Sequence, residues 1–383
     1  MQNPVTPSSG LRPPSPTRGE GYREKKLLIA GGGTGGHLFS GIAVAEEWHN
    51  KGGDAVFVGT ERGLEKNLVP RYGFPLELIP VGSLKGTGVF HKLKTFLRLP
   101  RSFIKSFALL KKVKPAVVLG IGGYASGPVV LAAALRGIPT AILDQNSVPG
   151  LTNRILGRWA GEIFLNFEVA SSYFKGRPVK VVGNPVIRSR RGPGPGAPFG
   201  GKISAKEGVT LLVCGGSQGA HALNENFLEA VEKLRQDFPG IRVIHQTGPA
   251  DAEKAGQVYR EKKVTALVSP FFDNMEEYYR VASLVIARAG AGTLTELAAW
   301  GLPSILVPYP FAADGHQLKN AEVFEKAGAS EIVEQKNLTG IMLADKIGGL
   351  LKNPERLNDM GKRALALNKP DAARDVVDVL MKM

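Results

Sequence analysis

The sequence predicts an α/β protein with two domains, each built on a doubly wound parallel sheet that carries helices on both faces. An apolar run at residues 27–30 leads into a glycine-rich loop and then into an apolar pattern with helical spacing. The same order of strand, glycine loop and helix begins again at residues 209–214. The length, 383 residues, suits two domains of ~100–200 residues each.

Composition limits the class of protein. Hydrophobic residues make up 43% and charged residues 22% of the chain, as in soluble globular proteins. Cys214 is the single cysteine, so no internal disulfide can form and a reducing compartment fits. The six histidines form no ligand cluster and no Asp-x-Asp occurs, so we expect neither a metal site nor a cofactor. Residues 1–24 are rich in Pro, Ser, Gly and Arg without an apolar core, which predicts a disordered extension rather than a secretory signal.

Positive charge is concentrated in the first half of the chain. The net charge is +15, and residues 1–206 hold 29 Lys and Arg against 11 Asp and Glu, whereas residues 207–383 hold 20 against 23. The first half therefore favours an anionic partner, which could be a nucleic acid, an anionic membrane or a phosphate-bearing lipid.

The first glycine loop, Gly31 to Gly36, opens a helix whose N-terminus favours an anion or a polar ligand. Its Gly-x-Gly-x-x-Gly spacing matches the dinucleotide fingerprint, but Asp54 precedes the second strand at residues 55–59 and only Glu61 lies near its end. A P-loop would need Lys followed by Ser or Thr after the last glycine. His37 and Leu38 stand there instead, so an NTPase is disfavoured.

A basic amphipathic segment follows at residues 84–114. Apolar residues recur there at helical spacing around Pro100 with Lys and Arg between them, and no acidic residue occurs between Leu78 and Leu143. This pattern suits an anionic membrane surface, although a core helix with solvated lysines or a single-stranded nucleic-acid site would use the same residues. The expected membrane-contact residues are Lys92, Phe96, Leu97, Arg98, Arg101, Phe103 and Phe107.

The uncharged run at residues 116–135 has the length of a membrane span, but its glycines and Pro128 indicate a buried strand, a second glycine loop and a helix. The next strand, at residues 140–143, ends in Asp144-Gln145-Asn146. Polar residues at the carboxyl end of a strand lie at the ligand edge of a doubly wound sheet.

The second half reads as another βα array. Strands are predicted at residues 209–214, 242–246, 264–268, 284–287 and 304–307, and a terminal helix at 362–382. Its first loop, Gly215-x-Ser217-x-Gly219, suits an anion nest, but it also matches a nucleophile elbow, and His316 could serve the corresponding hydrolase.

The ordered set of motifs resembles the MurG family of glycosyltransferases over residues 25 to about 380. The set comprises GGTGGH, GGYxSGP, QNxxPGLTNR, GNP, GGSQGA, RAGAGTLTEL, GLPSILVP and HQLKNA. The resemblance implies a GT-B fold: an N-terminal Rossmann-like acceptor domain (25–187), a linker (188–206), a C-terminal Rossmann-like donor domain (207–365) facing it across a cleft, and a terminal helix (366–383) that packs back on the first domain. It also implies an inverting, metal-independent transfer of GlcNAc from UDP-GlcNAc to the C4 hydroxyl of undecaprenyl-diphospho-muramyl pentapeptide.

The resemblance also suggests which residues form the site. For the donor these are Thr34, Gly35, Gly36, Asn146, Arg188, Ser217, Gln218, Phe272, Ala291, Gly292, Thr293, Leu294, Thr295, Glu296 and Gln317. Ser217 is expected on the diphosphate, Glu296 on the ribose hydroxyls, Phe272 against uracil and Gln317 on the sugar. For the acceptor they are His37, Gly122, Gly123, Tyr124 and Asn146.

The general base remains open. His37 is the first choice because it stands at a helix start after the glycine loop, and Asp144 is the alternative. Three residues depart from the family pattern. Leu143 stands where the family has a histidine, Ile187 shifts Arg188 by one position, and Ser40 replaces a proline, a change expected to matter little.

The expected partners are UDP-GlcNAc, the lipid-linked acceptor and an anionic membrane surface, with no nucleic acid. The protein is expected to be peripheral on the cytoplasmic face of the plasma membrane. The alternatives are another GT-B nucleotide-sugar transferase, the Ser217 hydrolase and a basic nucleic-acid-binding protein.

Overall fold

The computed structural model describes residues 25–32, 35–61, 63–80, 89–187, 192, 208–216 and 219–383, with the backbone alone for 89–99. The predicted extension, most of the linker and site residues Thr34, Arg188, Ser217 and Gln218 lie outside the described residues. So do the side chains of Lys92, Phe96, Leu97 and Arg98.

The first domain is a seven-stranded parallel sheet with the strand order β3-β2-β1-β4-β5-β6-β7. Its strands are β1 (Lys26–Gly31), β2 (Asp54–Gly59), β3 (Leu76–Leu78), β4 (Val117–Gly122), β5 (Thr140–Asp144), β6 (Glu162–Leu165) and β7 (Val179–Val181). The order reverses between β1 and β4, which pair directly. In open α/β sheets the crevice beyond such a reversal is where ligands bind.

Helices cover both faces of this sheet. They are α1 (Gly35–Asn50), α2 (Glu65–Arg71), α3 (Val89–Val113), α4 (Ser126–Leu135) and α5 (Leu151–Leu156). One buried cluster joins α1 to one face of the sheet through Leu38, Ile42 and Trp48. The cluster on the opposite face takes in residues of α3, α4 and α5, so these three helices form one layer.

The second domain is a six-stranded parallel sheet with the order β10-β9-β8-β11-β12-β13. Its strands are β8 (Thr210–Cys214), β9 (Arg242–Gln246), β10 (Thr265–Ser269), β11 (Leu284–Ala287), β12 (Ser304–Leu306) and β13 (Ser330–Ile332). Its helices are α6 (His221–Asp237), α7 (Ala252–Glu261), α8 (Met275–Val281), α9 (Ala291–Trp300), α10 (His316–Lys326), α11 (Gly340–Leu351) and α12 (Pro354–Ala366). The order reverses between β8 and β11. The predicted class of two doubly wound parallel sheets is confirmed.

The last helix, α13 (Ala372–Leu380), returns to the first domain. Val376, Val377 and Leu380 are buried in the same cluster as α1. Lys25 Nζ donates to the Met381 carbonyl at 2.8 Å. The chain therefore connects its two domains twice, once through residues 188–207 and once ahead of α13. Within the described part of the chain, no helix combines the length and apolarity needed to cross a bilayer.

Candidate active site

The glycine loops of the first domain meet where the strand order reverses. Gly31 and Gly32 have φ values of +151° and +149°, and Gly123 has a φ of +82°, a region that favours glycine. The Gly32 N–H donates to the Gly122 carbonyl at 3.2 Å. A β-carbon on Gly123 would collide with the Gly32 carbonyl oxygen. Only residues without side chains allow β1 and β4 to end this close together.

His37 lies on these loops in the first turn of α1. Its ring forms a hydrogen bond with the Gly32 backbone. Desolvation lowers the pKa of the imidazole to about 4, and the positive field of His316 in the second domain acts in the same direction. The Gly32 hydrogen bond opposes both effects. His37 is therefore neutral near pH 7 and able to accept a proton.

Asp144 ends β5 but turns away from the cleft. Its Oδ1 accepts from the Asn146 N–H at 3.0 Å, and its Oδ2 accepts from the Gly150 N–H at 3.1 Å and from Asn153 Nδ2 at 2.8 Å. Burial raises the pKa of this carboxyl to about 6. Asp144 is 2% exposed and does not line the cleft. This geometry makes it an anchor for the loop that carries Asn146 rather than a base for an acceptor.

Two helix N-termini face each other between the domains. A β-carbon on Gly292, in the first turn of α9, would lie 3.7 Å from the α-carbon of Gly36 in α1. They border a cleft of about 340 Å³. Each helix N-terminus carries roughly half a positive elementary charge and unpaired N–H groups. The cleft is therefore suited to a ligand with anionic groups such as a diphosphate.

On the second-domain side, Glu296 and Gln246 line the cleft and are both held in place. Tyr279 donates its hydroxyl to Glu296 Oε2 at 2.6 Å. The Gln246 side chain donates to the Gly216 carbonyl at 3.1 Å and accepts from the Phe272 N–H at 3.1 Å. Gln246 thus connects the loop after β8 to the loop after β10. The Phe272 N–H is therefore engaged by this bond.

Arg288 holds the loop after β12 in place. Its guanidinium donates to the carbonyls of Val307 and Pro308 at 3.0 and 3.2 Å and lies 5.6 Å from the centre of the Tyr309 ring. The Tyr309 N–H in turn donates to Gln317 Oε1 at 2.9 Å. Gln317, in the first turn of α10, lines the cleft and is held to this loop through its side chain.

Polar bridges join the two domains beside the cleft. Asn320 Oδ1 accepts from both the N–H and the hydroxyl of Ser147 at 2.8 Å, and Asn320 Nδ2 donates to Asn146 Oδ1 at 3.2 Å. The bridge couples the loop after β5 to α10, so Asn146 is oriented by the second domain.

A second bridge starts from α1. Ser40 donates to Asn184 Oδ1 at 2.6 Å, and Asn184 Nδ2 donates to Thr295 Oγ1 at 3.1 Å. Ser40 is 1% exposed, so its hydroxyl has no water to exchange with. A proline at position 40 would lack this donor, and the expectation that the departure from the family pattern matters little stays a prediction.

The structure brings most of the expected site residues together. Those that line the cleft are Gly35, Gly36, His37, Asn146, Phe272, Ala291, Gly292, Thr293, Glu296 and Gln317. Leu294 is fully buried, and Thr295 belongs to the Asn184 bridge. Gly122, Gly123 and Tyr124 lie at the end of β4 without lining the cleft itself.

Sequence reasoning missed several cleft residues. They are Phe39, Cys214, Gly216, Gln246, Phe271, Met275, Tyr279 and Gly290. Gln145, predicted at the ligand edge of the sheet, and His316, named for the hydrolase alternative, line the cleft as well. Gln246 could have been found, because it ends β9 beside β8 and the carboxyl ends of parallel strands share one edge. Burial raises the pKa of the Cys214 thiol to about 12, so this cysteine stays protonated.

The expected membrane-contact residues of α3 divide by exposure. Phe103 and Phe107 are partly buried against the α3–α4–α5 layer, whereas Arg101 is exposed. Ile104, which was not singled out, is 69% exposed. In the part of α3 whose side chains are described, residues 100–113, the outer face therefore presents Ile104, whereas Phe103 and Phe107 pack partly against the layer.

Comparisons with known proteins agree with this architecture. The model of the glycosyltransferase family 28 N-terminal domain matches residues 27–165, and that of the C-terminal domain matches residues 210–376. A Myxococcus xanthus protein is 45% identical over 361 residues, which are 94% of this chain and 93% of the relative. A Syntrophus aciditrophicus protein is 44% identical over 363 residues, which are 94% and 98%. Both are named UDP-N-acetylglucosamine--N-acetylmuramyl-(pentapeptide) pyrophosphoryl-undecaprenol N-acetylglucosamine transferase.

Solved structures give the same picture. Acinetobacter baumannii MurG superposes with a TM-score of 0.76 at 30% identity, covering 94% of this chain and all of that one. CalG4, the calicheamicin glycosyltransferase, has a TM-score of 0.66 at 17% identity, covering 94% of this chain and 99% of that one, and so shares the fold.

Proposed function

This chain belongs to glycosyltransferase family 28, and we propose that its cleft transfers GlcNAc from UDP-GlcNAc to the C4 hydroxyl of undecaprenyl-diphospho-MurNAc-pentapeptide. The product is the lipid-linked disaccharide precursor of peptidoglycan. The observation that carries the proposal is the meeting of two helix N-termini, at Gly36 and Gly292, in one cleft. Family membership favours this transferase over the Ser217 hydrolase and over a nucleic-acid-binding protein.

The donor is held mainly by the second domain. Glu296, held by Tyr279, accepts hydrogen bonds from the ribose hydroxyls. The N–H groups at the start of α9, with Ser217, hold the diphosphate. Phe272 lies against the uracil ring, and Gln317 contacts the sugar hydroxyls. The shared lining of one cleft by Glu296, Phe272 and Gln317 supports this arrangement.

The chemical step is a single displacement at the anomeric carbon. The acceptor C4 oxygen forms a bond to that carbon while the bond from the carbon to the diphosphate oxygen breaks, with inversion. The electron pair of the broken bond goes to the diphosphate, and the hydroxyl proton goes to a base. The dipoles of α1 and α9 stabilise the charge that develops on the leaving UDP.

His37 is the base in this proposal. Its lowered pKa keeps the imidazole unprotonated and ready to accept a proton, but also makes it a weak base before the donor binds. A bound diphosphate changes this balance, because a nearby negative charge raises the pKa of a histidine. The donor therefore strengthens its own catalyst, and proton transfer produces an imidazolium beside the departing anion.

The acceptor approaches over the first domain. The glycine loop at Gly122 and Gly123 offers backbone groups to its diphosphate, while Tyr124 and Asn146 orient the muramyl sugar. The Asn320 bond to Asn146 supports such an orienting role, because it fixes the direction of the amide. Asp144 contributes by holding the same loop.

The enzyme works as a peripheral protein on the cytoplasmic face of the plasma membrane, with an anionic bilayer as its partner. The excess of basic residues in the first half and the exposed Ile104 on α3 support this location. The acceptor carries a polyprenyl chain that remains in the bilayer, so the cleft must lie close to the lipid surface.

The decisive assay measures UDP release from UDP-GlcNAc. We expect release only when the lipid-linked muramyl acceptor is added, and none with a 4-deoxy muramyl acceptor that cannot form the bond. Equal release with and without acceptor would identify a hydrolase of the nucleotide sugar. Faster release of another nucleoside diphosphate from its own nucleotide sugar, with the same acceptor, would identify a different transferase.

A further inference from the structure

Two exposed apolar surfaces flank the mouth of the cleft, one on each domain. On the first domain, Leu151, Ile155 and Trp159 in and after α5 are 60%, 44% and 48% exposed. On the second domain, Tyr309 and Phe311 in the loop after β12 are 44% and 78% exposed. We call these five residues the mouth patch. Large apolar side chains grouped at a functional opening indicate a binding surface rather than ordinary exposure.

The α5 side of the patch is a regular amphipathic face. Leu151, Arg154 and Ile155 follow the spacing i, i+3, i+4 and so share one side of α5, and Arg158 is exposed in the turn that follows. Leu156, on the other side, is buried in the α3–α4–α5 layer. Apolar and basic residues therefore alternate along the outward face, as in helices that lie on anionic bilayers.

The loop side of the patch is presented rigidly. Arg288 fixes the backbone at Val307 and Pro308, and the rings of Tyr309 and Phe311 meet edge to face at 5.6 Å. Phe311 is thus exposed on a loop that is held in place, and the contact of its apolar ring with water is unfavourable in free energy. A partner that covers Phe311 would remove that cost.

One ion pair links the two sides. The Arg154 guanidinium contacts Asp314 across the domain boundary and also lies 5.7 Å from the centre of the Tyr173 ring. Asp314 follows Phe311 by three residues, and His316 and Gln317, just beyond, line the cleft. The mouth patch therefore borders the opening through which an acceptor has to enter.

We infer that the mouth patch is a membrane-contact surface that rests both domains on an anionic phospholipid bilayer, with the cleft mouth between them. The choice of a bilayer rests on the proposed lipid-linked acceptor and on charge complementarity. Residues 100–177, which include the second half of α3 and all of α4 and α5, hold ten Lys and Arg against three Asp and Glu, and Asp144 among the three is buried. The α3 surface lies in the same layer, so the patch extends it across the domain boundary.

Trp159 offers a direct test, because the other two tryptophans, Trp48 and Trp300, are 0% and 3% exposed. Vesicles of phosphatidylglycerol and phosphatidylcholine are added to the full-length protein while tryptophan emission is recorded. We expect a blue shift and quenching by bromine-labelled acyl chains, both absent in Trp159→Phe. Binding to the vesicles with unchanged Trp159 emission would overturn the inference.

Flotation with the same vesicles measures the contribution of the loop. Phe311→Ser should lower the partition constant about tenfold, the value for one large apolar side chain removed from lipid. Ile341→Ser is the matched control, because Ile341 is 72% exposed but lies on α11. Equal losses in both variants, or none in Phe311→Ser, would contradict a specific surface.

Two further measurements separate this inference from its alternatives. Turnover of a short-chain, water-soluble acceptor should be the same in Phe311→Ser and the parent, because neither Phe311 nor Trp159 lines the cleft. Loss of that turnover would place Phe311 in catalysis and overturn the inference, whereas a parent without turnover would instead refute the proposed function. Sedimentation without lipid should show the same mass for both proteins. A dimer abolished by Phe311→Ser would identify a second copy of the chain as the partner.

Discussion

The ring of His37 lies against the backbone of Gly122: a β-carbon at Gly122 would be 3.2 Å from its Nε2 atom. Gly122 has a φ of +92°, which residues with side chains rarely adopt, so this position favours glycine. The missing side chain leaves room for the His37 ring. The strand end of β4 therefore positions the candidate base of α1. The predicted consequences begin with that base.

We expect His37→Gln to lower turnover by ~10²–10⁴-fold under saturating donor and acceptor, the range for loss of a general base. Glutamine retains a polar side chain but cannot take up the proton. UDP affinity, measured by calorimetry, should change little. Near-parent turnover would remove His37 from proton transfer.

The pH dependence of the parent enzyme should reflect the lowered pKa of His37. Protonation below about pH 4 removes its ability to accept a proton, so kcat/KM should fall with decreasing pH through that region and not through pH 6.5. The bound donor is negative, so the acid limb of kcat should lie at higher pH than that of kcat/KM. Initial rates after brief pH jumps, with a return to pH 7.5 as control, measure both. An acid limb of kcat/KM near pH 6.5 that disappears in His37→Gln would contradict the burial argument.

Glu296→Ala should weaken UDP binding by ~10–100-fold, because hydrogen bonds to a charged group contribute ~1.5–3 kcal/mol. Tyr279→Phe keeps the carboxylate and removes only the hydroxyl that holds it at 2.6 Å, so a smaller loss is expected. Titration calorimetry with UDP on the parent, Tyr279→Phe and Glu296→Ala gives the order of their affinities. Unchanged UDP affinity in Glu296→Ala would rule out the ribose assignment.

Gln246→Leu should raise the donor KM about tenfold with little change in kcat. Both of its bonds, to Gly216 and Phe272, hold loops that flank the proposed donor site, and a neutral hydrogen bond contributes ~0.5–1.5 kcal/mol. Gln246→Glu retains an acceptor for the Phe272 N–H and should lie between leucine and the parent. Steady-state kinetics with acceptor saturated provide the test, and an effect confined to kcat would count against a positioning role.

Gly123→Ala should destabilise the first domain by ~1–3 kcal/mol, because the added methyl group collides with the Gly32 carbonyl in a backbone region that alanine avoids. Gly127→Ala is the control. A β-carbon there meets only Thr152 Cγ2, at an ordinary 3.6 Å, inside α4. Thermal unfolding should separate the two, and equal midpoints would refute the steric account.

The sequence was sufficient to predict the fold class because glycine loops and apolar runs are local patterns. It also located the glycines at Gly35, Gly36 and Gly292, since these precede or open helices. The features that the sequence did not reveal depend on contacts between residues that lie far apart in the chain. Gln246 joins two loops that begin on different strands, and no local pattern records such a bond.

Exposure was equally difficult to predict within one helix. The spacing of α3 does not say which side of its broad apolar surface meets α4, so Phe103 and Phe107 were assigned to lipid while Ile104 was passed over. Ser40 shows the same difficulty. Its hydroxyl donates to Asn184, which is 144 residues away in the chain, and no local pattern indicates that bond.

The two helix N-termini that face each other at Gly36 and Gly292 also affect the release of UDP. Transfer turns a diphosphate diester into free UDP, whose terminal phosphate carries additional negative charge, so attraction to the two helix ends increases as the reaction proceeds. We expect product departure to be accompanied by separation of the domains and by loss of the Ser147–Asn320 bonds, which join the domains beside the cleft. We therefore expect UDP to inhibit the enzyme much more strongly than uridine, which lacks the diphosphate. We also expect UDP release to be the rate-limiting step of turnover.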